Sequence, residues 1–393
     1  MLPKERMLAA MEHREGDRVP VGELASDFEM TERVLGHPTY YRSKWREYKA
    51  EWEGRREDIA ASYSRDIVDL ARTLEWDFLV VPLVPARRHV CPKPEMLGEY
   101  RWRDASGKVW QYSPDSGGHA MLIEAPPMDV ADIVLPKDFQ VDESRLEAIA
   151  AAVRALGDTH FVVGRLPECT FPWDLTIGME DFLMRMITQR EFVQRATEAA
   201  VRQGEAWAAA MCDLGVDAVI ECTDYCDNFG PMMGPKLFRE FILPGIRRLG
   251  KVAHSKGKYF LKHTDGNTWA ILDDMIAAGI DGWQGIQPSI GMDLKALKEK
   301  YCGKLCLFGG VNNETLIAGT PAEVMEEVEY AFRYAAPGGG YVLASGNTLQ
   351  IGTKYENYVA MRKAARQFGT YPIVLPEVNC PGRPLSPVRP TDS

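Results

Sequence analysis

Apolar residues along this chain gather into short runs separated by longer amphipathic stretches, and the alternation is regular. The runs are Val19–Ala25, Asp77–Val84, His160–Arg165, Asp217–Glu221, Lys258–His263, Gly279–Gly285, Lys304–Gly309 and Gly340–Ser345. Each is short and nearly continuous in apolarity, as a parallel strand buried on both faces should be. Helical spacing follows most of them, over Met179–Leu214, Gly234–Lys256, Thr268–Ala278, Asp293–Tyr301, Pro321–Ala335 and Tyr355–Phe368. Strand then helix, repeated about eight times, predicts a closed (β/α)8 barrel of TIM type. An open doubly wound sheet is the competing architecture, but no Gly-x-Gly-x-x-Gly turn opens any of the helices.

Two stretches interrupt the alternation. Arg42–Leu74 is helical and highly charged, with Trp45 and Trp52 on it, and is expected to cap one barrel end. Residues 85–126 hold Tyr100-Arg-Trp-Arg-Asp-Ala-Ser-Gly-Lys-Val-Trp-Gln-Tyr112, where aromatics alternate around a turn sequence. That is a β-hairpin signal, expected as an excursion after the second strand. Residues 1–373 are therefore expected to form one domain. The Pro-rich tail, 374–393, is expected to be irregular, either packing on a neighbour or disordered; a homodimer is an assembly open to the chain.

Composition narrows the partners. The chain has 393 residues, 46% of them hydrophobic and 26% charged, with a net charge of −10. Its basic residues are scattered, so neither nucleic acid nor an anionic membrane surface is an expected partner. No apolar run approaches the roughly 18 residues of a membrane span, and the first residues do not resemble a signal peptide; a cytoplasmic protein is expected. The 8 cysteines include no Cys-x-x-Cys pair. Cys222/Cys226 and Cys302/Cys306 read as buried thiols rather than zinc sites.

In a β/α barrel, chemistry sits just past the C-terminal ends of the strands. Those positions hold Arg165 and Glu168 after the third strand, and Glu221, Asp224 and Asp227 after the fourth. His263 and Asp265 follow the fifth, Trp283, Gln284 and Gln287 the sixth, Asn312 and Asn313 the seventh, Ser345 and Asn347 the eighth. His263 stands out: residues two apart on an extended strand point the same way, so His263 and Asp265 can address one ion or substrate. The plain alternative is a histidine satisfied by its carboxylate neighbour. Arg165 is placed either to clamp a substrate carboxylate or to close an ion pair across the rim, and Trp283 is expected as a wall against the substrate.

Several segments resemble the uroporphyrinogen decarboxylase superfamily: Pro3-Lys-Glu-Arg-Met-Leu-Ala-Ala-Met11, Asp17-Arg-Val-Pro20, His263-Thr-Asp-Gly-Asn267, Phe308-Gly-Gly-Val-Asn312 and Gly319-Thr-Pro-Ala-Glu-Val324. The resemblance runs to about Phe368. Its decarboxylases carry an arginine-rich segment near the N-terminus that grips substrate carboxylates. Here that stretch is Gly22-Glu-Leu-Ala-Ser-Asp-Phe28, with two acids and no arginine, which disfavours a porphyrinogen. Its corrinoid-system methyltransferases use a His-x-Cys pair and a later cysteine on zinc. Here His263-Thr-Asp265 replaces the pair, and Asn347 falls near the later cysteine.

The resemblance thus implies a methyltransferase component, taking a methyl group from a small methylated compound such as an aryl methyl ether. The acceptor is a corrinoid carried by a partner protein. Zinc is expected on Glu221, His263 and Asp265, the same residues expected to be catalytic, with a harder donor set that suits an ether oxygen. Substrate contacts are expected from Arg165, Glu168, Asp224, Trp283, Gln287 and Asn347. Two alternatives stand beside this: a metal-independent decarboxylase or lyase acting on a small carboxylate, and a non-catalytic barrel that binds a ligand or corrinoid.

Overall fold

A computed structural model describes residues 1–88, 91–114 and 118–375. Eight parallel strands form one sheet in the order β1 (Gly22–Glu23), β2 (Phe78–Val81), β7 (Phe161–Arg165), β8 (Ala218–Glu221), β9 (Tyr259–His263), β10 (Gly282–Ile286), β11 (Cys306–Val311) and β12 (Tyr341–Ser345). Parallel bridges Val21–Leu343 and Ser26–Leu349 join the first strand to the last, closing the barrel. At this seam the ladder is sparse, and the buried Glu23 carboxylate fills in. It accepts from the Ser345 amide (3.1 Å) and hydroxyl (2.6 Å), and burial raises its pKa to about 8.

The expected strands are all present, most of them shorter; β10 and β11 run one and two residues past their expected ends. Side chains alternate between the barrel interior and the helix layer, as period two demands. Phe78, Val80, Phe161, Ile220, Leu261 and Phe308 fill the interior together with Met7, Ala10 and Met11 of α1 (Pro3–Met11). Because strand positions from the N-terminal side of the barrel join these three, α1 plugs that end and leaves the other for chemistry. The Asp17-Arg18 segment serves this plug: Arg6 donates to Asp17 and Asp77, and Arg18 pairs with Asp77 at 2.8 Å.

After α2 (Phe28–Leu35), the region Arg42–Leu74 is two helices, α3 (Lys44–Trp52) and α4 (Arg56–Thr73). α4 packs on the barrel wall against β2 and the helix Glu147–Leu156. α3 lies at the C-terminal end, and its Trp45 stacks on Tyr112 with ring centroids 5.5 Å apart. Tyr112 belongs to the excursion after β2, which is richer than a hairpin. It is a four-stranded antiparallel meander, β3 (Glu95–Met96), β4 (Arg101–Arg103), β5 (Val109–Gln111) and β6 (Met121–Glu124). The expected hairpin is its β4–β5 pair.

Helices expected as single rods are broken. Met179–Leu214 divides at Gln189, which is non-helical at φ −137°, into Gly178–Thr188 and Arg190–Leu214. Gly234–Lys256 contains a π turn at Phe238–Ile242, next to Pro244, whose missing N–H cannot close a regular helical bond. No described helix is long and apolar enough to cross a membrane. Most of the Pro-rich tail, 376–393, lies outside the described residues.

Candidate active site at the barrel mouth

β8, β9 and β10 determine which side chains enter the mouth. Glu221 is paired in register with Lys262, and Lys262 with Trp283; one step along, His263 is paired with Gln284. Paired residues of neighbouring parallel strands face the same way. His263 and Gln284 therefore point into the barrel, and Glu221, Lys262 and Trp283 point out into the helix layer.

His263 is 5% exposed. Its Nδ1 meets the side-chain oxygen of Gln284. The Gln284 amide donates to the carbonyls of Ser345 (3.2 Å) and Asn347 (2.7 Å), so its oxygen is left as an acceptor. Nδ1 must then carry the proton, and Nε2 presents a lone pair. That lone pair faces two carboxylates, Asp224 Oδ1 at 3.8 Å and Asp265 Oδ1 at 3.7 Å. Burial, against the pull of Asp224, lowers the His263 pKa to about 4, so the ring is neutral at pH 7.

Asp265 is held from both sides. Its Oδ2 accepts from the Asn347 amide, and its backbone N–H donates to Asp224 at 2.9 Å. Its Oδ1 is buried with no hydrogen-bond partner. Burial and then Asp224 raise its pKa well above the usual carboxylate range. Two glycines allow these loops to approach: a Cβ at Gly285 would lie 2.4 Å from the Thr264 carbonyl, and one at Gly266 2.6 Å from the Asp227 carbonyl. Gln287 completes the clasp by accepting from the Gly266 amide at 2.8 Å.

Asp224, His263 and Asp265 offer ligand atoms that all lie within 4.8 Å of one another. An orphaned buried oxygen, a second carboxylate and an imidazole lone pair suit a borderline-to-hard divalent cation such as zinc. The 3.7–3.8 Å separations are slightly wider than the roughly 3.4 Å edge of a tetrahedron with bonds of about 2.1 Å. Three ligands leave a coordination position for substrate.

Glu221, expected among the ligands, lies outside this group. It is fully buried behind the wall, where its oxygens are taken by Lys262 (2.7 Å), the Thr170 hydroxyl (3.0 Å), the Thr223 hydroxyl and Tyr225 (3.3 Å). Burial pulls its pKa up, but Lys262 and the hydroxyl donors outweigh that, and the carboxylate stays ionised. Trp283, expected as a substrate wall, is also behind it: fully buried, with its indole N–H donating to the Thr264 carbonyl at 3.1 Å. Ser345 turns outward to Glu23. Asp227 caps the turn to Gly230, and Asn312 is bound to Glu327.

Arg165 reaches the mouth from β7, 3.5 Å from Glu168. Although its side chain is 42% exposed, desolvation at the rim, with the push of Glu221 and Asp224 and against the pull of Arg165, raises the Glu168 pKa to about 7. His119, which precedes β6, was not foreseen. Lys44, burial, Arg165 and Arg42 hold its pKa well below the usual value, which places several cations around the same rim. Lys262 was also missed, although a lysine inside an apolar strand run is itself a signal.

Comparison with known proteins agrees with the barrel. The family Uroporphyrinogen decarboxylase (URO-D) matches residues 112–368. A methyltransferase from Methanosarcina mazei superposes with a TM-score of 0.69 at 22% identity, over 94% of this chain and 99% of that one. A 3-keto-D-glucoside 4-epimerase from E. coli follows at a TM-score of 0.35 and 14% identity, over 56% of this chain and 83% of its own. No curated protein matches.

Proposed function

The chain belongs to the uroporphyrinogen decarboxylase family, and from that premise we propose that it is the methyltransferase component of a corrinoid system. It would take the methyl group of a small aryl methyl ether. One observation carries the reading: the His263 lone pair faces Asp224 and the unpartnered oxygen of Asp265, next to an open mouth. The fold shared with the Methanosarcina mazei methyltransferase is compatible with it.

In this reading Asp224, His263 and Asp265 hold zinc, and Glu221 supports them from behind. Zinc would supply Lewis acidity to the ether oxygen. Gln284 keeps Nε2 deprotonated, and Asn347 orients Asp265. Arg165 holds an anionic substituent of the substrate, and Glu168, near neutrality in pKa, can deliver a proton to the departing phenolate. The C–O bond would break with its electron pair on oxygen, and the methyl group would pass to the reduced corrinoid of a partner protein, which would supply the nucleophile.

A second reading has an observation of its own. Arg165 beside a Glu168 raised to about 7 also suits decarboxylation, with Arg165 gripping the carboxylate and Glu168 protonating the carbanion. The test is incubation of the zinc-loaded protein with a methoxybenzoate and a reduced corrinoid protein. Methylated corrinoid and free phenol are expected, with anisole a poorer donor because Arg165 has nothing to hold. Release of carbon dioxide without methyl transfer would replace the first reading by the second.

A further inference from the structure

Behind the wall, on the outward faces of β8 and β9, a second set of charges is packed as tightly as the first is open. Lys262 is fully buried. Its ammonium pairs with Glu221 at 2.7 Å and donates to the carbonyls of Thr223 (2.7 Å), Glu221 (3.2 Å) and His263, while lying 4.5 Å from the centre of the Tyr225 ring. Glu221 in turn accepts from the amides of Cys169 (3.3 Å) and Thr170 (3.4 Å). Tyr225 closes the circuit, its hydroxyl 2.5 Å from Thr170 and its amide donating to Thr264 at 3.1 Å.

These contacts join three loops far apart in sequence. The loop after β7 carries Glu168, the loop after β8 carries Asp224, and the end of β9 carries His263 and Asp265. Two of the carbonyls that Lys262 gathers belong to Thr223 and His263, the residue before Asp224 and the imidazole's own residue. A buried ion pair gives little net stability against an apolar replacement, because both ions must be desolvated, but it fixes geometry when fully hydrogen-bonded. Nothing about barrel closure requires it here.

We propose that Lys262, through its buried pair with Glu221, is a positioning residue that sets the spacing of Asp224, His263 and Asp265. It touches neither substrate nor metal; it acts through the carbonyls of Thr223 and His263. The proposal rests on the metal reading only for its affinity readout.

The experiment compares the parent with Lys262→Met and with the double variant Glu221→Gln/Lys262→Met, which leaves no unpaired buried charge. Zinc affinity is measured by chelator competition, coordination by the visible spectrum of the cobalt(II)-loaded protein, and folding by melting temperature. Zinc affinity is expected to fall roughly 10- to 100-fold with an altered cobalt spectrum, in variants that still melt cooperatively. Hydrogen exchange at the amides of 223–226 and 263–266 is expected to quicken while the other strands keep their protection. Unchanged zinc affinity and unchanged exchange in a folded variant would overturn the proposal. If the parent itself takes up neither metal, the metal reading fails, and exchange alone decides the positioning role. Should both variants fail to fold, Thr223→Val, which keeps both charges, is read by the same measurements.

Discussion

The outer face of β8 and β9 and the mouth just past their ends both carry ionisable groups, a few residues apart in sequence, and use them in opposite ways. On the outer face Glu221 and Lys262 are fully buried and satisfied, each oxygen and the ammonium matched by several protein partners. On the inner face Asp224, His263 and Asp265 are arranged by Gln284 and Asn347, yet retain a lone pair and an oxygen that no protein group meets. Saturation marks structure, and organised insufficiency marks chemistry. Both sets consist of carboxylates and bases at strand ends, so residue type alone does not separate them.

The largest effects should come from breaking the outer face. Glu221→Leu leaves Lys262 charged, buried and unpaired, and should cost about 3–5 kcal/mol of stability, read by urea unfolding. If loss is instead confined to metal binding at unchanged stability, Glu221 belongs with the inner set. Trp283→Ala should cost a similar ~3–5 kcal/mol by opening a core cavity. The surviving folded protein should bind substrate normally; a raised KM with full stability would put Trp283 back at the mouth.

Inner-face changes should cost less stability than these and act mainly on metal binding. Gln284→Leu removes the acceptor that fixes the His263 tautomer, and should weaken zinc binding roughly 10- to 100-fold, measured by chelator competition. Equal affinity would show that the ring is oriented by something else. A pH dependence is expected at the barrel seam. Glu23 titrates near 8 when folded against an ordinary 4.5, so the folded state binds more protons between those values. Stability should therefore decline as pH rises through that window and level off above it. Glu23→Gln should flatten this slope, as seen in urea midpoints at about pH 5 and about pH 8; an unchanged slope would mean that Glu23 is not the group responsible.

Much of this was legible in the chain. Eight apolar runs placed the barrel strands, and strand-end reasoning brought His263, Asp265, Asp224 and Asn347 to one mouth. Period two could have gone further: with His263 inward, Lys262 must face outward, and register then takes Glu221 and Trp283 with it. Register is a property of strand pairing, however, and the sequence shows each strand separately. Whether a carboxylate is saturated depends on Thr170, Thr223 and Tyr225, whose meeting exists only in the fold. The plug helix α1 was hidden because charges surround Met7, Ala10 and Met11. In the meander, β3 is only two exposed residues, Glu95–Met96, too short to carry a periodic signal.

The proposed function requires the inner face to be a metal site, and zinc titration of the chelator-stripped protein tests that directly. Parent and His263→Ala should be compared at pH 7 with melting temperature recorded alongside. One zinc per chain is predicted for the parent. In His263→Ala most of that affinity should be gone in a protein that still melts cooperatively, at a temperature lowered only by the loss of one buried side chain and its bond to Gln284. A parent that takes up no zinc, or a folded His263→Ala protein that binds it as tightly, would contradict the account.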